Sequence, residues 1–333
     1  LTDASTAEAY GDFLSAIAAD VKVRFVVPAD LGASGRAALQ RRLALIDPTG
    51  GLAQRTTVTE VPPPITTWSK DRALVTRPNP SGVPTLIGPS EPRTEWKARL
   101  GDWRSVPLFT QATAGAFSYV QAPFDFDAGD FAVLGHRLLF DGNLLEKNRH
   151  RGYASMAQLR ARVGEWFRMD ALSLGEAWGD TPRHHLSMYM TPLVGRQVLV
   201  GDPHAAATLV GEGFEPGANS LETGNLLRAD FSPETVARFE RAAGYLTGGG
   251  FEVVRIPNVP LDDKTYLSYT NGVYETRGER RIAYVPLYGV AALDAAALAV
   301  YAKLGWETRP IRVQALYPSH GTIGCVVNVL RRH

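Results

Sequence analysis

Apolar and polar positions follow two rhythms along the chain, and they alternate. Residues 7–17 carry a short helical pattern, and residues 21–27 (VKVRFVV) are a β-rich run that Pro28 closes. A second helix at 35–45 precedes a strand at 56–61, which stops at Pro62, Pro63 and Pro64. The third helix covers 154–168, with Met156, Leu159, Val163 and Trp166 three or four residues apart, and leads to a strand-like run at 186–190. Ser232 and Pro233 open a fourth helix as cap and first-turn residue; Val236, Phe239 and Ala243 form its apolar stripe, and three glycines end it before a strand at 251–256. A fifth helix, with Asp294 as its cap and Gly305 as its stop, precedes a strand at 311–316. Runs at 266–275 and 280–287 flank a turn at Gly278 and read as a hairpin, and the last run, 323–330, reads as β-rich.

About five helix-then-strand units therefore recur at irregular spacing, which argues against an all-α bundle or an all-β sandwich. No composition break marks a linker, so residues 1–333 are expected to form a single domain. The stretch 77–92 reads as a long Pro-rich loop, and 97–111 as a second loop able to cover a site.

Composition narrows the function by exclusion. The chain has 333 residues, 45% hydrophobic and 21% charged, with a net charge of +1. No overall field favours nucleic acid, and the short basic pairs lack interleaved aromatics, so a nucleic-acid partner is not expected. No apolar run reaches the length of a membrane span. With a single cysteine, neither an intrachain disulfide nor a multi-cysteine zinc site can form. Compartment is left open, cytoplasmic or secreted, because the chain begins at Leu1. No P-loop, dinucleotide fingerprint or HExxH pattern is present, and no metal or cofactor is assigned.

A lone cysteine in a β-rich run is ordinarily a small core residue. Here Ser319, His320, Gly321, Thr322, Ile323 and Gly324 precede Cys325, and Asn328, Val329, Leu330, Arg331 and Arg332 follow it. This stretch, HGTIGCVVNVLRR, resembles the active-site motif HGxxHCxxNVRR of the protein-arginine deiminases. Gly324 stands where that motif has histidine, and Leu330 where it has its first arginine. Further elements follow in the order of the guanidine-modifying, or pentein, superfamily. Trp68-Ser69-Lys70-Asp71 resembles its W-x-x-D element, Asp127-Ala128-Gly129-Asp130 its acidic E-G-G-[ND] element, and His185-Leu186-Ser187 its H-x-D element. Residues 269–275 and 285–289 resemble its penultimate hairpin.

The resemblance implies an α/β fold, a five-bladed propeller of ββαβ-type units. It also implies cysteine-dependent hydrolysis of a guanidinium. The implied roles are Cys325 as nucleophile, His185 as acid and base, and Asp71 gripping the guanidinium, with Trp68, Asp127, Asp130, Ser187 and Asn328 binding substrate. An arginine-containing peptide or protein is the expected substrate, converted to citrulline and ammonia. Small guanidino substrates of the agmatine or dimethylarginine kind, amidino transfer, and guanidine binding without turnover are the alternatives. Ser187 departs from the pattern by lacking a carboxylate; an N-substituted substrate, or a nearby acid such as Asp180, would account for it. Vertebrate protein-arginine deiminases require calcium, and Asp125, Asp127 and Asp130 supply carboxylates, but no EF-hand pattern supports that ion.

Overall fold

Among the described residues, the chain five times lays two strands side by side in parallel with helix between them. The computed structural model describes residues 4–262 and 264–331. They fall into two compact units, one holding the chain up to Ala128 together with the segment from Cys325 onward, the other Gly129–Gly324.

In the first unit, α1 (Ala4–Ala16) leads into β1 (Val23–Pro28), α2 (Gly32–Ile46), α3 (Gly51–Gln54) and β2 (Thr56–Val61). β1 and β2 run parallel, from Val23 opposite Thr56 to Pro28 opposite Val61. The hairpin β3 (Leu74–Val75) and β4 (Thr85–Gly88) follows, then α4 (Lys97–Ala112) and β5 (Ser118–Gln121), which returns parallel to β4. Ala73, Leu86, Val106 and Phe109 form a core between α4 and this sheet, and Leu330 packs against it.

The second unit repeats the pattern three times. The hairpin β6 (Ala132–Leu134) and β7 (Arg137–Asp141) is followed by α5 (Gly142–Asn148), α6 (Met156–Phe167) and β8 (Asp170–Leu174), parallel to β7. Next come β9 (Met190–Pro192), β10 (Gln197–Asp202), α7 (Pro203–Val210), α8 (Pro233–Gly248) and β11 (Glu252–Pro260), with β12 (Tyr266–Ser268) antiparallel to β11. The last repeat is β13 (Val273–Arg277), β14 (Arg280–Leu287), α9 (Ala291–Lys303) and β15 (Glu307–Arg312). A short helical turn, α10 (Ile323–Val326), carries the cysteine. Val198, Leu199 and Val200 of β10 are fully buried, as a strand covered on both faces requires. α8 lays Phe239 and Leu246, both fully buried, into this core, and the Ser232 hydroxyl accepts the Thr235 N–H to cap it. No helix of the described residues is long and apolar enough to cross a membrane.

Several sequence expectations shift. The strand after the third helix is β8, which 3.6-residue patterning hid because Asp170–Leu174 is short and half polar. Residues 186–190 are instead a 3-10 turn running into β9. The stretch 77–92 contains β4, and 97–111 is the body of α4 despite Pro107 within it. The final strand of the fifth unit begins at Glu307, ahead of the apolar run. Asp294 does not cap α9. From inside its first turn, it accepts bonds from the Tyr269 hydroxyl and the backbone N–H groups of Tyr288 and Gly289. The run 323–330 forms no strand: α10 occupies its start and irregular backbone the rest.

Candidate functional site

Three motifs lying far apart in sequence meet in the first unit. The Lys70 N–H donates to the Cys325 carbonyl at 3.1 Å, and the Ser69 hydroxyl to the Val326 carbonyl at 2.6 Å. Asn328 returns the contact: its Nδ2 donates to the Ala73 carbonyl at 3.0 Å and reaches the Ser69 carbonyl at 3.5 Å. The Tyr10 hydroxyl also bonds the Val326 carbonyl, and Arg331 the Gly82 carbonyl. The segment after Cys325 lacks a ladder of its own, so these bonds satisfy its backbone and set its path. Cys325 is buried, 3% exposed.

The acidic element joins the same place. The Ala128 N–H donates to the Asp71 carbonyl, which brings Asp127 beside Asp71. Asp71 is buried and Asp127 half-buried. Both face a residue that sequence reasoning did not single out, Arg99 of α4, which pairs with Asp127 and lies 3.8 Å from the Asp71 carboxylate. Arg72 is not part of this pair; it is buried against Asp102 at 3.1 Å. Trp68 is half-buried, with its N–H on the Thr66 hydroxyl.

The second unit holds the other three expected residues. Asp130 is buried and paired with Lys147 at 2.6 Å. Two of the three carboxylates considered for calcium thus have a cation of the protein's own, Asp127 with Arg99 and Asp130 with Lys147. His185 is buried, and Gly129 is what permits its ring to lie there, since a Cβ at that glycine would come within 2.6 Å of the imidazole. Neighbouring His184 is more than filler. Its backbone sits at φ 80°, strained for a side chain of its size, and its ring stacks on His185 with centroids 4.2 Å apart. Its Nε2 bonds the carbonyl of His320, itself at φ 69°. A carbonyl only accepts, so His184 carries its proton on Nε2. Burial, and then the proximity of His185, holds the His184 ring well below the ordinary histidine range and therefore neutral.

Behind this pair lies a buried polar network. The Asn143 amide donates to the His184 carbonyl at 2.7 Å and to Asp141 at 3.0 Å, and Asp141 accepts the Tyr189 hydroxyl at 2.7 Å. Desolvation pushes the Asp141 carboxyl up to about 7, with the charge of Asp130 adding to the shift. Ser187 is half-buried, and its carbonyl accepts the Thr270 hydroxyl. Asp180, considered as the replacement carboxylate, is occupied in a turn, accepting the N–H groups of Glu176 and Ala177.

Gly324 accounts for the departure just before the cysteine. A Cβ there would stand 2.1 Å from Oδ1 of Asn271 and 2.9 Å from two carbonyls, so histidine has no room. The Gly324 N–H and the Thr322 hydroxyl both bond the Asn271 carbonyl. Asn271 belongs to the run 269–275, so the penultimate-hairpin element and the residues just before Cys325 are in direct contact.

No family model matches the chain, and no curated protein does. Solved structures do. An agmatine deiminase from C. jejuni superposes with a TM-score of 0.66 at 15% identity, over 97% of this chain and 86% of that one. An arginine deiminase assigned by inference from Porphyromonas gingivalis gives 0.68 at 17%, over 98% and 89%. A protein titled as an inferred peptidyl-arginine deiminase gives 0.69 at 13%, over 98% and 90%. The fold is of the pentein type. Among the described residues its content is five small sheets, each built around a parallel pair and four of them mixed, as the motif order implied.

Proposed function

We propose that this pentein-type chain is a thiol-dependent hydrolase of a guanidino group, with a small guanidine such as agmatine as its leading substrate. Peptidyl-arginine, to which the Cys325 segment pointed, takes second place. Agmatine deiminases recur among the structures similar to this chain, one of them a substituted C. jejuni enzyme with substrate bound, at a TM-score of 0.68 and 13% identity. The observation that carries the reading is the Lys70 N–H to Cys325 carbonyl bond. It ties the cysteine segment to the W-x-x-D element over some 250 residues of intervening chain, and the Asn328 amide ties it a second time.

The chemistry assigned to these residues balances in two steps. Asp71, with Asp127, accepts N–H donors of the guanidinium in fork geometry and keeps it charged and planar. The Cys325 thiolate adds to the guanidinium carbon, a C–S bond forms, and a C–N bond breaks as His185 protonates the departing nitrogen. Ammonia leaves a covalent thiouronium. Water, deprotonated by His185, then adds to the same carbon; the C–S bond breaks, releasing the thiolate and the ureido product, whose remaining hydroxyl proton passes to solvent or to the released ammonia. Trp68 would pack on the guanidinium face. Ser187 offers a hydroxyl where a carboxylate is usual, and Asp130, neutralised by Lys147, contributes less charge than Asp71.

The test is ureido-product formation by mass spectrometry from agmatine, free arginine, asymmetric dimethylarginine and an arginine peptide, with Cys325→Ala as control. Product from agmatine that vanishes in the control is the expected result. Product from the peptide alone would return the substrate to protein arginine. No product from any, with a thiol that resists alkylation in the native protein, would sink the hydrolase reading.

A further inference from the structure

Arg99 presents a guanidinium to Asp71 and Asp127, the two carboxylates to which the reading above assigns the substrate's guanidinium. We propose that Arg99 is an internal competitor for the substrate, seated on these carboxylates in the empty enzyme and displaced when a guanidine binds. The inference rests on the hydrolase reading, and its observations lie wholly within the first unit.

Three features support it. The first is chemical identity: one planar cation with forked donors replaces another, so the carboxylates keep their partners whichever is bound. The second is anchorage. α4 is fixed one turn away by Asp102, which is buried and accepts the Thr66 N–H at 2.9 Å and hydroxyl at 2.6 Å, with Arg72 at 3.1 Å. The backbone is held, so displacement is a swing of the Arg99 side chain alone, and that side chain is 22% exposed. The third is space. The cavity lined by Asp71, Arg99, Asp102, Trp103, Asp125 and Phe126 measures about 20 Å³. That is room for about one water on the Asp71 side of the Arg99 guanidinium.

A competitor seated most of the time lowers apparent affinity by the fraction of protein left open, so a residue occupying the carboxylates nine-tenths of the time weakens binding about tenfold. The experiment is calorimetric titration of agmatine, arginine and an arginine peptide into Cys325→Ala protein, which cannot turn them over. Arg99 is kept, or changed to Gln or Lys. Arg99→Gln is expected to bind the preferred guanidine about tenfold tighter. Arg99→Lys is expected to fall between, because an ammonium cannot fork across both carboxylates. Weaker binding by Arg99→Gln would overturn the proposal and make Arg99 a support for the carboxylates. Equal binding by Arg99→Lys and the parent would reduce its effect to bare charge and overturn it too. If no form binds any guanidine, the hydrolase reading itself fails, and the competition with it.

Discussion

Cys325 and His185 are held by opposite means. Cys325 sits in a single helical turn followed by irregular backbone, and the carbonyls and side chains of this segment bond outward to Ser69, Lys70, Ala73 and Tyr10. Most of these bonds involve partly exposed groups, each of ordinary length. Around His185 the support is buried and strained: His184 at φ 80° with its ring stacked on that of His185, an asparagine behind the His184 carbonyl, and a buried carboxyl behind the asparagine. The first arrangement depends on a sum of modest hydrogen bonds, about 1 kcal/mol each. The second depends on a few groups whose loss leaves a buried polar partner unsatisfied, which costs more per residue. The difference predicts that the cysteine segment tolerates single changes and the histidine segment does not.

The largest effects concern the two chemical groups themselves. Cys325→Ala is expected to remove ureido product altogether, by about 10³-fold or more, with the far-UV circular dichroism unchanged. His185→Gln is expected to lose about 10²- to 10⁴-fold. The two variants should differ in kind: intact-mass measurement after rapid mixing finds a covalent adduct in His185→Gln and none in Cys325→Ala. An adduct that forms and clears at the parent rate in His185→Gln would remove His185 from the mechanism.

Asp141 sharpens the second half of the comparison. Its folded carboxyl titrates near 7 against an ordinary value of 3.8, so the native state binds the proton more tightly than the unfolded chain. Stability from this group is therefore full below about pH 4 and declines as pH rises to about 7, by about 1.4 kcal/mol per unit through that window. Asp141→Asn does not titrate. Urea melts across pH 4 to 8 should show the parent losing ground to the variant as pH rises, and a constant difference would contradict the assignment. At low pH the variant should be the weaker of the two, since an amide cannot accept from Asn143 and Tyr189 on both its atoms.

How much of this was legible in sequence follows from the same contrast. The Cys325 segment was readable because the approach of other groups to its backbone demands particular residues: glycine at 324, an amide at 328. Asp71 and His185 were singled out by the resemblance of their motifs, which spacing alone could not have supplied. Arg99 was not, because an arginine on a helix with solvated neighbours looks the same whether its guanidinium faces water or two carboxylates. Pro107 and Gly101 further disguised α4 as a loop. His184 was passed over because nothing in a His-His pair announces a positive φ. Strand β3 was lost for being two residues long, too short for periodicity to register, and β8 because Asp170 and Ser173 break its apolar run.

Gly324→Ala tests the packing of the residue just before Cys325. Its methyl group would meet Asn271 Oδ1 at 2.1 Å, and Asn271 is itself buried with its amide on Met188. A short, packed side chain cannot yield as a lysine would, so the expected cost is about 1–3 kcal/mol of stability, read as a lower urea midpoint. A midpoint within error of the parent would mean that Asn271 can turn aside, and that the glycine is not required by space.

The smallest effect is expected at Asn328, and its pattern matters more than its size. The Nδ2 group donates to the Ala73 carbonyl at 3.0 Å and reaches that of Ser69, so two acceptors face one amide. Asn328→Ala removes the donors and leaves the carbonyls to water, at about 1 kcal/mol because the site is only half-buried. Asn328→Asp keeps the shape but offers only acceptors to acceptors, so at neutral pH it should cost more than alanine does, and protonating the new carboxyl in acid should restore part of the loss. Urea midpoints of the two variants at pH 7 and pH 4 check this. If aspartate is no worse than alanine at pH 7, the amide is not what holds the segment. The Lys70 N–H and the Ser69 hydroxyl, which bond backbone carbonyls on either side of the Cys325–Val326 link, would then fix Cys325 without it.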